Sequence, residues 1–532
     1  MTEPKADLIL RGGLVVDGSG EPARRADVAI TRHNISAVGD IPPGSGPSLD
    51  VTGLVVAPGF IDMHTHSDLT LLVNPKAEST IRQGVTTQVI GMCGFSPAPA
   101  PDEKRGVVRS MFAGITDTVD WEWETVADYL EALRNRGPST NVVPVVGQGT
   151  LRAVAVGMNG RPPKPMELGY MKRLVGEAME EGAFGLSSGL VYTPSLYADT
   201  EELIALAQVV ARAGGIYFTH LRGEADTLLA ALEEAFRIGR EGALPVHVAH
   251  LKCEGRDNWG KAETTVAALL AARESGVDVT YDSYPYTAWN TNLSQLLPAW
   301  AREGGNDAMV HRLSEPEDRA RIREFLVKSA EADPGKWERR LISSVASDGN
   351  RQVQGRTLTE IADIRAMAVE EVIMDLLTEE RGAIGMVGFS MDEADVAYFV
   401  THPLGMIGSD SASAAPYGRL GLVHPHPRTY GSFVRVLGHY VREQQALSLE
   451  AAVAKMSRLP AERLRLADRG VIAPGKAADL VVFDSGTVGD RATYQMPHLY
   501  AAGVHYVFVN GALEVEGERH HDAKAGRVLT RQ

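Results

Sequence analysis

The chain has 532 residues, 44% hydrophobic and 23% charged, a globular composition with enough apolar mass for a large core. Its net charge of −15 argues against nucleic acid or an anionic membrane as partner, and an anionic ligand would need a local basic pocket. Two cysteines, Cys93 and Cys253, give no disulfide framework, no apolar run approaches the ~20 residues of a membrane span, and residues 1–7 hold no apolar signal segment, so a cytoplasmic protein is expected.

Residues 7–56 alternate short β-rich runs with turns: Leu8–Leu10 before Arg11-Gly12-Gly13, Leu14–Val16 before Asp17-Gly18, then Asp27–Ile30. The far end matches them. Ala478–Phe483 reads as a strand, and His505–Val509, Asn510-Gly511 and Ala512–Val515 read as a hairpin with type I′ turn residues. Two β-rich ends around a different middle imply one small discontinuous β-sandwich domain, residues 1–57 and 470–532, with a polar tail that frays from about Glu516. The middle, 58–469, alternates strands with amphipathic helices, the pattern of βαβ units and a parallel sheet. Strand candidates are 55–62, 86–91, 141–147, 183–187, 215–220, 245–250, 276–281 and 404–409. Helical spacing marks Glu124–Arg136, Glu167–Glu181, Glu201–Ala213, Ala225–Arg240 and Ala262–Glu274. Eight such units make an α/β TIM (β/α)8 barrel. The stretch from about 288 to 400 is too long for one connection and carries helices of its own, Glu315–Ala332 and Thr357–Glu379, so it is read as an insertion.

Catalytic groups of such barrels sit at the C-terminal ends of the strands. The first strand ends in His64 and His66, whose i, i+2 spacing aims both imidazoles the same way, with Asp62 two residues earlier on that face. The second ends in Gly91-Met92-Cys93-Gly94, the fifth in Phe218-Thr219-His220, the sixth runs into His250, and the eighth ends in Gly408-Ser409-Asp410. One such residue alone is weak evidence. Five strand ends that each carry a metal-competent side chain suit one or two zinc-like ions with an open position for water.

These motifs resemble the amidohydrolase superfamily, and within it the N-acyl-D-amino-acid deacylase (D-aminoacylase) family. Pro58–His66 resembles the superfamily's opening motif and Gly470–Asp484 its closing return to the β domain. More specific to the deacylases are Gly91–Gly94, Ser187–Tyr192, Thr219–Glu224, His250–Lys252, Asp282–Tyr286, Gly408–Asp410 and His424–Gly431, in the same order along nearly the whole chain. Many superfamily members bridge two metals with a carboxylated lysine at the end of strand four. Here that strand ends Gly185–Gly189 without lysine or acid, which makes the thiolate of Cys93 the natural substitute. The resemblance implies one tight zinc held by Cys93, His220 and His250, and a weaker second divalent metal at His64, His66 and Asp410.

The resemblance also implies hydrolysis of the amide of a small N-acyl-D-amino acid by metal-activated water, with Asp410 as general base and acid. The D preference comes from the family alone. Lys252, two residues past His250, faces the same mouth while the strand persists, and Arg428 follows the eighth strand. By resemblance Lys252, Tyr284 and Arg428 bind the substrate carboxylate and Tyr192 assists near the reacting carbonyl; Tyr286 competes with Tyr284 for its role. Arg222 and Glu224 suit a rim ion pair as well as a substrate contact, His424 and His426 suit positioning, and Cys253 suits inert packing. Trp289, Leu293, Leu296, Leu297 and Trp300 offer apolar walls, hence a leaning to hydrophobic D-amino acids. Competing readings are a cyclic amidase of hydantoinase or dihydroorotase type, which the missing lysine disfavours, a D-dipeptidase, and a non-catalytic binding barrel, which the complete ligand set disfavours.

Overall fold

The computed structural model describes residues 5–112 and 114–531. Strands Phe60–Asp62, Val85–Ile90 and Asn141–Pro144 form a three-stranded parallel sheet. Val146–Gly147, Gly185–Gly189, Ile216–His220, Val246–Val248, Val279–Ser283 and Gly405–Ile407 form a six-stranded parallel one. Backbone bonds carry each sheet into the other at both edges. Val145 donates to Ile90 O (3.0 Å) and Phe184 to Pro144 O (2.8 Å) on one side. Asp410 donates to His64 O (2.9 Å) and His66 to Ser411 O (3.0 Å) on the other. Counting Asn141–Pro144 and Val146–Gly147, separated only by Val145, as one strand, eight strands follow one another around a ring.

The ring is packed, not open. Ile61, Met63, Val89, Val143, Phe184, Ile216, Phe218 and Met406 fill it as one buried cluster. Burial on both faces explains why its strands read as apolar runs without alternation, and why their ends were hard to place: 276–281 is observed at Val279–Ser283 and 183–187 at Gly185–Gly189. Helices Val126–Arg136, Pro165–Glu180, Thr200–Arg212, Leu228–Gly242 and Ala262–Glu274 lay their apolar stripes on the outside. Thr125 and Asp199 cap two of them by accepting backbone N–H bonds.

The chain ends meet in one nine-stranded sheet in which Leu480–Phe483 pairs with Val55–Pro58. Leu8–Val15 is a single strand rather than the expected two. Its register shifts between Leu10 and Gly13, where Asp27 Oδ1 accepts the Gly12 N–H, so the glycines make a bulge instead of a turn. The tail does not fray. Arg519–His520 adds an edge strand, Val142 pairs with Val528, and Leu529 packs under the ring. The apolar Val528 and Leu529, at the end of a polar stretch, anchor it.

Between the seventh and eighth ring strands, Ala288–Asn292, Arg340–Val345 and Ile384–Phe389 form a small antiparallel sheet with its own helices and core. The expected helix Thr357–Glu379 is two, Leu358–Arg365 and Val369–Glu379, parted where Ala366 turns left-handed (φ 50°). The insertion stops short of 400: Glu393–Thr401 belongs to the ring, where Phe399 O accepts the Tyr281 hydroxyl (3.0 Å). Among the described residues no helix is long and apolar enough to cross a membrane.

Candidate active site

Three strands deliver their functional side chains through the same backbone device. Cys93, His250 and Asp410 all have positive φ (54°, 36° and 49°), a conformation non-glycine residues rarely adopt. Each lies two or three residues past its strand, so the left-handed step turns the side chain off the pleat and into the mouth of the ring. Such strain costs on the order of 1–3 kcal/mol per residue and gathers at functional sites. Glycine clears the space: a Cβ on Gly408 would lie 2.5 Å from Asp282 Oδ1 and 2.8 Å from His64 Cβ.

The buried Cys93 Sγ is the hub. It lies 3.2 Å from His64 Nε2, 3.7 Å from His250 Nε2 and 3.8 Å from His220 Nδ1. Burial pushes its pKa up, but the three histidines outweigh that and hold it well below the ordinary thiol value. For tetrahedral ligation with M–S of ~2.3 Å and M–N of ~2.0 Å, donor atoms stand roughly 3.6 Å apart, close to each of these separations. The donors of His64, Cys93, His250 and Asp410 all lie within 4.8 Å of one another, and those of His220, Glu224 and His250 form a second compact group. His66 Nε2 is 3.1 Å from Asp410 Oδ1, so the six expected ligands converge at one mouth.

Two carboxylates whose roles no spacing or motif assigns organise these ligands from behind. Glu224 stands 3.1 Å from His250 Nδ1 and 3.5 Å from His220 Nε2, the ring nitrogens that face away from Cys93. It thereby selects the nitrogens left to bind metal. It also accepts from Lys252 Nζ (2.6 Å). Burial would raise the Glu224 pKa, but Lys252, His220 and His250 hold it well below the carboxylate range. Asp282, on the seventh strand, accepts from His247 Nε2 (3.0 Å) and the His250 N–H (3.0 Å) and lies 3.6 Å from His64 Nδ1. Asp62 accepts the backbone N–H groups of His64 (3.1 Å) and Ser409 (2.9 Å), which latches the first strand to the eighth, and burial pushes its carboxyl up to about 7.

Asp410 lies 2.9 Å from Arg428 Nη1. Burial raises its pKa, but Arg428, His250 and His64 prevail and keep it ionised. Two chambers open from it. One, about 540 Å³, is lined by His66, Phe95, Phe112 and Arg428; the other, about 400 Å³, by His220, Lys252, Tyr284, Trp289 and Arg340. Tyr192 and Asp410 border both, and the Tyr192 ring sits 5.0 Å from that of His220.

Geometry separates the alternatives that the motifs left open. Tyr284 lines the 400 Å³ chamber with a buried hydroxyl that has no hydrogen-bond partner among the described residues, and the Arg428 guanidinium lies 4.5 Å over its ring. Tyr286 instead donates to Asp490 (3.3 Å), away from the mouth. Arg222 and Glu224 do not pair: Arg222 binds Glu234 (2.8 Å) and two carbonyls, because successive rim side chains diverge where the strand ends. His426 accepts the Arg428 N–H (3.0 Å) and reaches Ala288 O, while His424 reaches Tyr494 O. Cys253 is buried packing beside Thr265. Of the five expected apolar wall residues, only Trp289 and Leu296 line a chamber. Leu293 and Leu297 face the insertion's own core and Trp300 packs against it, because that core needs them to cover its sheet.

The amidohydrolase family profile matches residues 49–513. A D-aminoacylase of Alcaligenes xylosoxydans xylosoxydans is 38% identical over 529 residues, 99% of this chain and 98% of its own. A solved D-aminoacylase structure, described for its binuclear metal centre with one-metal activation and second-metal attenuation, matches with a TM-score of 0.83 at 38% identity, covering 99% of this chain and 100% of that one. N-acyl-D-glutamate deacylase of Bordetella bronchiseptica, complexed with zinc and a phosphonate mimic of the tetrahedral intermediate, gives 0.82 at 34% identity over 99% and 100%. With the mixed α/β fold of these structures and a converged ligand cluster, the chain belongs to the N-acyl-D-amino-acid deacylase (D-aminoacylase) family of the amidohydrolases.

Proposed function

We propose that this protein is a zinc-dependent hydrolase that cleaves N-acyl-D-amino acids into a carboxylate and a free D-amino acid. The observation that carries this is the Cys93 thiolate within 3.2–3.8 Å of three imidazoles, with Asp410 in the same cluster. Zinc and the D configuration are drawn from the relatives. The strand ring is read as a (β/α)8 barrel over 58–469 with the insertion at 288–389. The end-built sheet is read as a small sandwich of 1–57 and 470–532. Unpaired Cys93 and Cys253 suit a reducing, cytoplasmic setting.

Cys93, His220 and His250 would hold the tight ion, and His64, His66 and Asp410 a weaker second one. When bound, a divalent ion supplies Lewis-acid polarisation of the amide and makes water more acidic. The remaining work falls to the chain. The ionised Asp410 takes the proton of the attacking water as its oxygen bonds to the carbonyl carbon. The same carboxyl then gives that proton to the amide nitrogen as the C–N bond breaks. Lys252, Tyr284 and Arg428 receive the substrate carboxylate, for which Lys252 must share itself with Glu224 and Arg428 with Asp410. Tyr192, at the junction of the chambers, steadies the reacting carbonyl. A cyclic-amidase reading is weaker, because the fourth strand ends Gly185–Gly189 with no lysine.

The test is hydrolysis of N-acetyl-D- and N-acetyl-L-amino acids before and after exhaustive chelation. The expected result is turnover of D substrates that vanishes with the metal and returns with zinc. Turnover that survives complete metal removal overturns the reading.

A further inference from the structure

The 400 Å³ chamber holds more positive charge than one substrate carboxylate requires. Lys252 is already matched by Glu224, and Arg428, which reaches over Tyr284 from the neighbouring chamber, by Asp410. Across the chamber the insertion adds Arg302, Lys336 and Arg340 to the wall, against one further carboxylate, Glu254. Glu254 Oε1 is engaged by Trp289 Nε1 (2.9 Å). Arg340 is the most telling of the three. It is 5% exposed, opens the insertion strand Arg340–Val345, and lies 4.8 Å over the Trp289 ring. Its Nη1 donates to Arg339 O (3.2 Å), its Nε has no hydrogen-bond partner, and it forms no ion pair with a carboxylate among the described residues. A buried guanidinium without an anion is costly unless a ligand completes it. Arg302 is likewise held by neutral groups, Val191 O (2.9 Å) and Gln295 Oε1 (2.6 Å).

We propose that Arg340 is a specificity-determining residue that receives a second anion on the substrate, the side-chain carboxylate of an acidic D-amino acid. Arg302 and Lys336 add to the field. The inference rests on the deacylase reading. It places the amino-acid half of the substrate in the chamber of Lys252 and Tyr284. The acyl half lies toward Phe95, Met111 and Phe112 in the 540 Å³ chamber, where Arg351 is already paired with Asp348 (2.6 Å) and Arg419 donates to Gly114 O (3.1 Å). It replaces the leaning to hydrophobic side chains, whose expected walls mostly face the insertion core.

The experiment compares kcat/KM of the zinc-loaded full chain for N-acetyl-D-Glu, D-Asp, D-Gln and D-Leu, and for N-succinyl-D-Leu, in wild type, Arg340→Met and Arg340→Lys. D-Glu and D-Gln have the same shape, so their ratio reads charge, and a ratio is unaffected by any misfolded fraction. We expect the better acidic substrate to exceed D-Gln by about 10–100-fold, as one charge-assisted contact gives. Arg340→Met should bring the ratio near one, with Arg340→Lys between. A wild-type ratio of one or less, a ratio unmoved in Arg340→Met, or an Arg340-dependent preference for N-succinyl over N-acetyl-D-Leu overturns the proposal. Hydrolysis of none of the substrates overturns the deacylase reading and this one with it, whereas brisk, uniform hydrolysis overturns this one alone.

Discussion

At the base of the strand ring, Asp479 is buried and spent on structure. One oxygen accepts the Asn510 N–H (2.6 Å), and the other accepts from Arg469 and from Asn141 Nδ2 (2.9 Å). Asn141 also accepts from Asn510 (2.8 Å) and the Arg527 N–H (3.1 Å), so the knot ties the third ring strand, the C-terminal hairpin and the tail together. At the mouth, Asp410 is as buried but sits on left-handed backbone among groups with unspent capacity: His64 Nδ1, Tyr284 Oη and Arg428 Nε have no hydrogen-bond partner among the described residues. Asp479 is fully paired, although Asn510 Oδ1 beside it is not, and the contrast is between a carboxylate enclosed by fixed partners and one that borders two chambers open to a ligand. That contrast predicts that base substitutions cost stability and mouth substitutions cost chemistry.

The largest expected effect is at the mouth. Asp410→Asn keeps the shape, and asparagine tolerates a left-handed backbone, but it removes the base; kcat should fall roughly 10²–10⁴-fold. Asp410 and Arg428 are both buried, but the asparagine oxygen still accepts from Arg428, so the unfolding free energy should fall by about 1–3 kcal/mol. Steady-state kinetics with a denaturant titration checks both. A variant that keeps wild-type kcat removes Asp410 from the mechanism, and one that unfolds as readily as it loses activity dissolves the contrast.

The complementary substitution is Asp479→Ala. Asp468 still accepts from Arg469 Nε (3.1 Å) and Nη2 (3.0 Å), but the Asn510 N–H and Asn141 Nδ2 lose their buried acceptor, so about 2–4 kcal/mol of stability should be lost. Below its unfolding transition the variant should turn over within about twofold of wild type, since none of its contacts reaches the metal cluster. Loss of turnover in fully folded Asp479→Ala would show that base and mouth are coupled.

Which parts of this division were legible from residues alone follows from the physics of each signal. His64 and His66 were legible because strand geometry is local: i and i+2 share a face. Cys93, His220, His250 and Asp410 were legible as strand-end residues in recurring motifs. Glu224 and Asp282 were not, because their work depends on which imidazole nitrogen faces the centre, and that is set by rings from three different strands. Arg222 and Glu224 misled because two residues of separation on an irregular rim carries no shared face. Leu293 and Leu297 misled because an apolar residue in an insertion serves a core or a pocket equally well until the insertion's sheet is placed. The base escaped notice for a related reason: Asp479, Asn141 and Asn510 are hundreds of positions apart in part and carry no spacing signal.

The smallest effect sharpens the comparison, because a charged group at the base is not well served. Lys455, on the helix Leu449–Met456, is 3% exposed, and its ammonium donates to the backbone oxygen of His402 with no carboxylate partner among the described residues. Burial depresses its pKa to about 7, whereas in the unfolded chain it titrates near ~10.4. Below pH 7 both states bind the proton and the burial penalty is present in full. Between pH 7 and ~10.4 only the unfolded state binds it, so Lys455 weakens folding less and less as the pH rises. Lys455→Met fills the same volume without charge. At pH 7 it should stabilise the protein by roughly 2 kcal/mol after loss of one hydrogen bond, and that gain should shrink toward zero or reverse by pH 10. Urea midpoints of both proteins across pH 7–10 give the answer. A difference that does not change with pH would mean that the ammonium stays charged in the folded protein up to its ordinary pKa, and that the base, like the mouth, admits water around its charges.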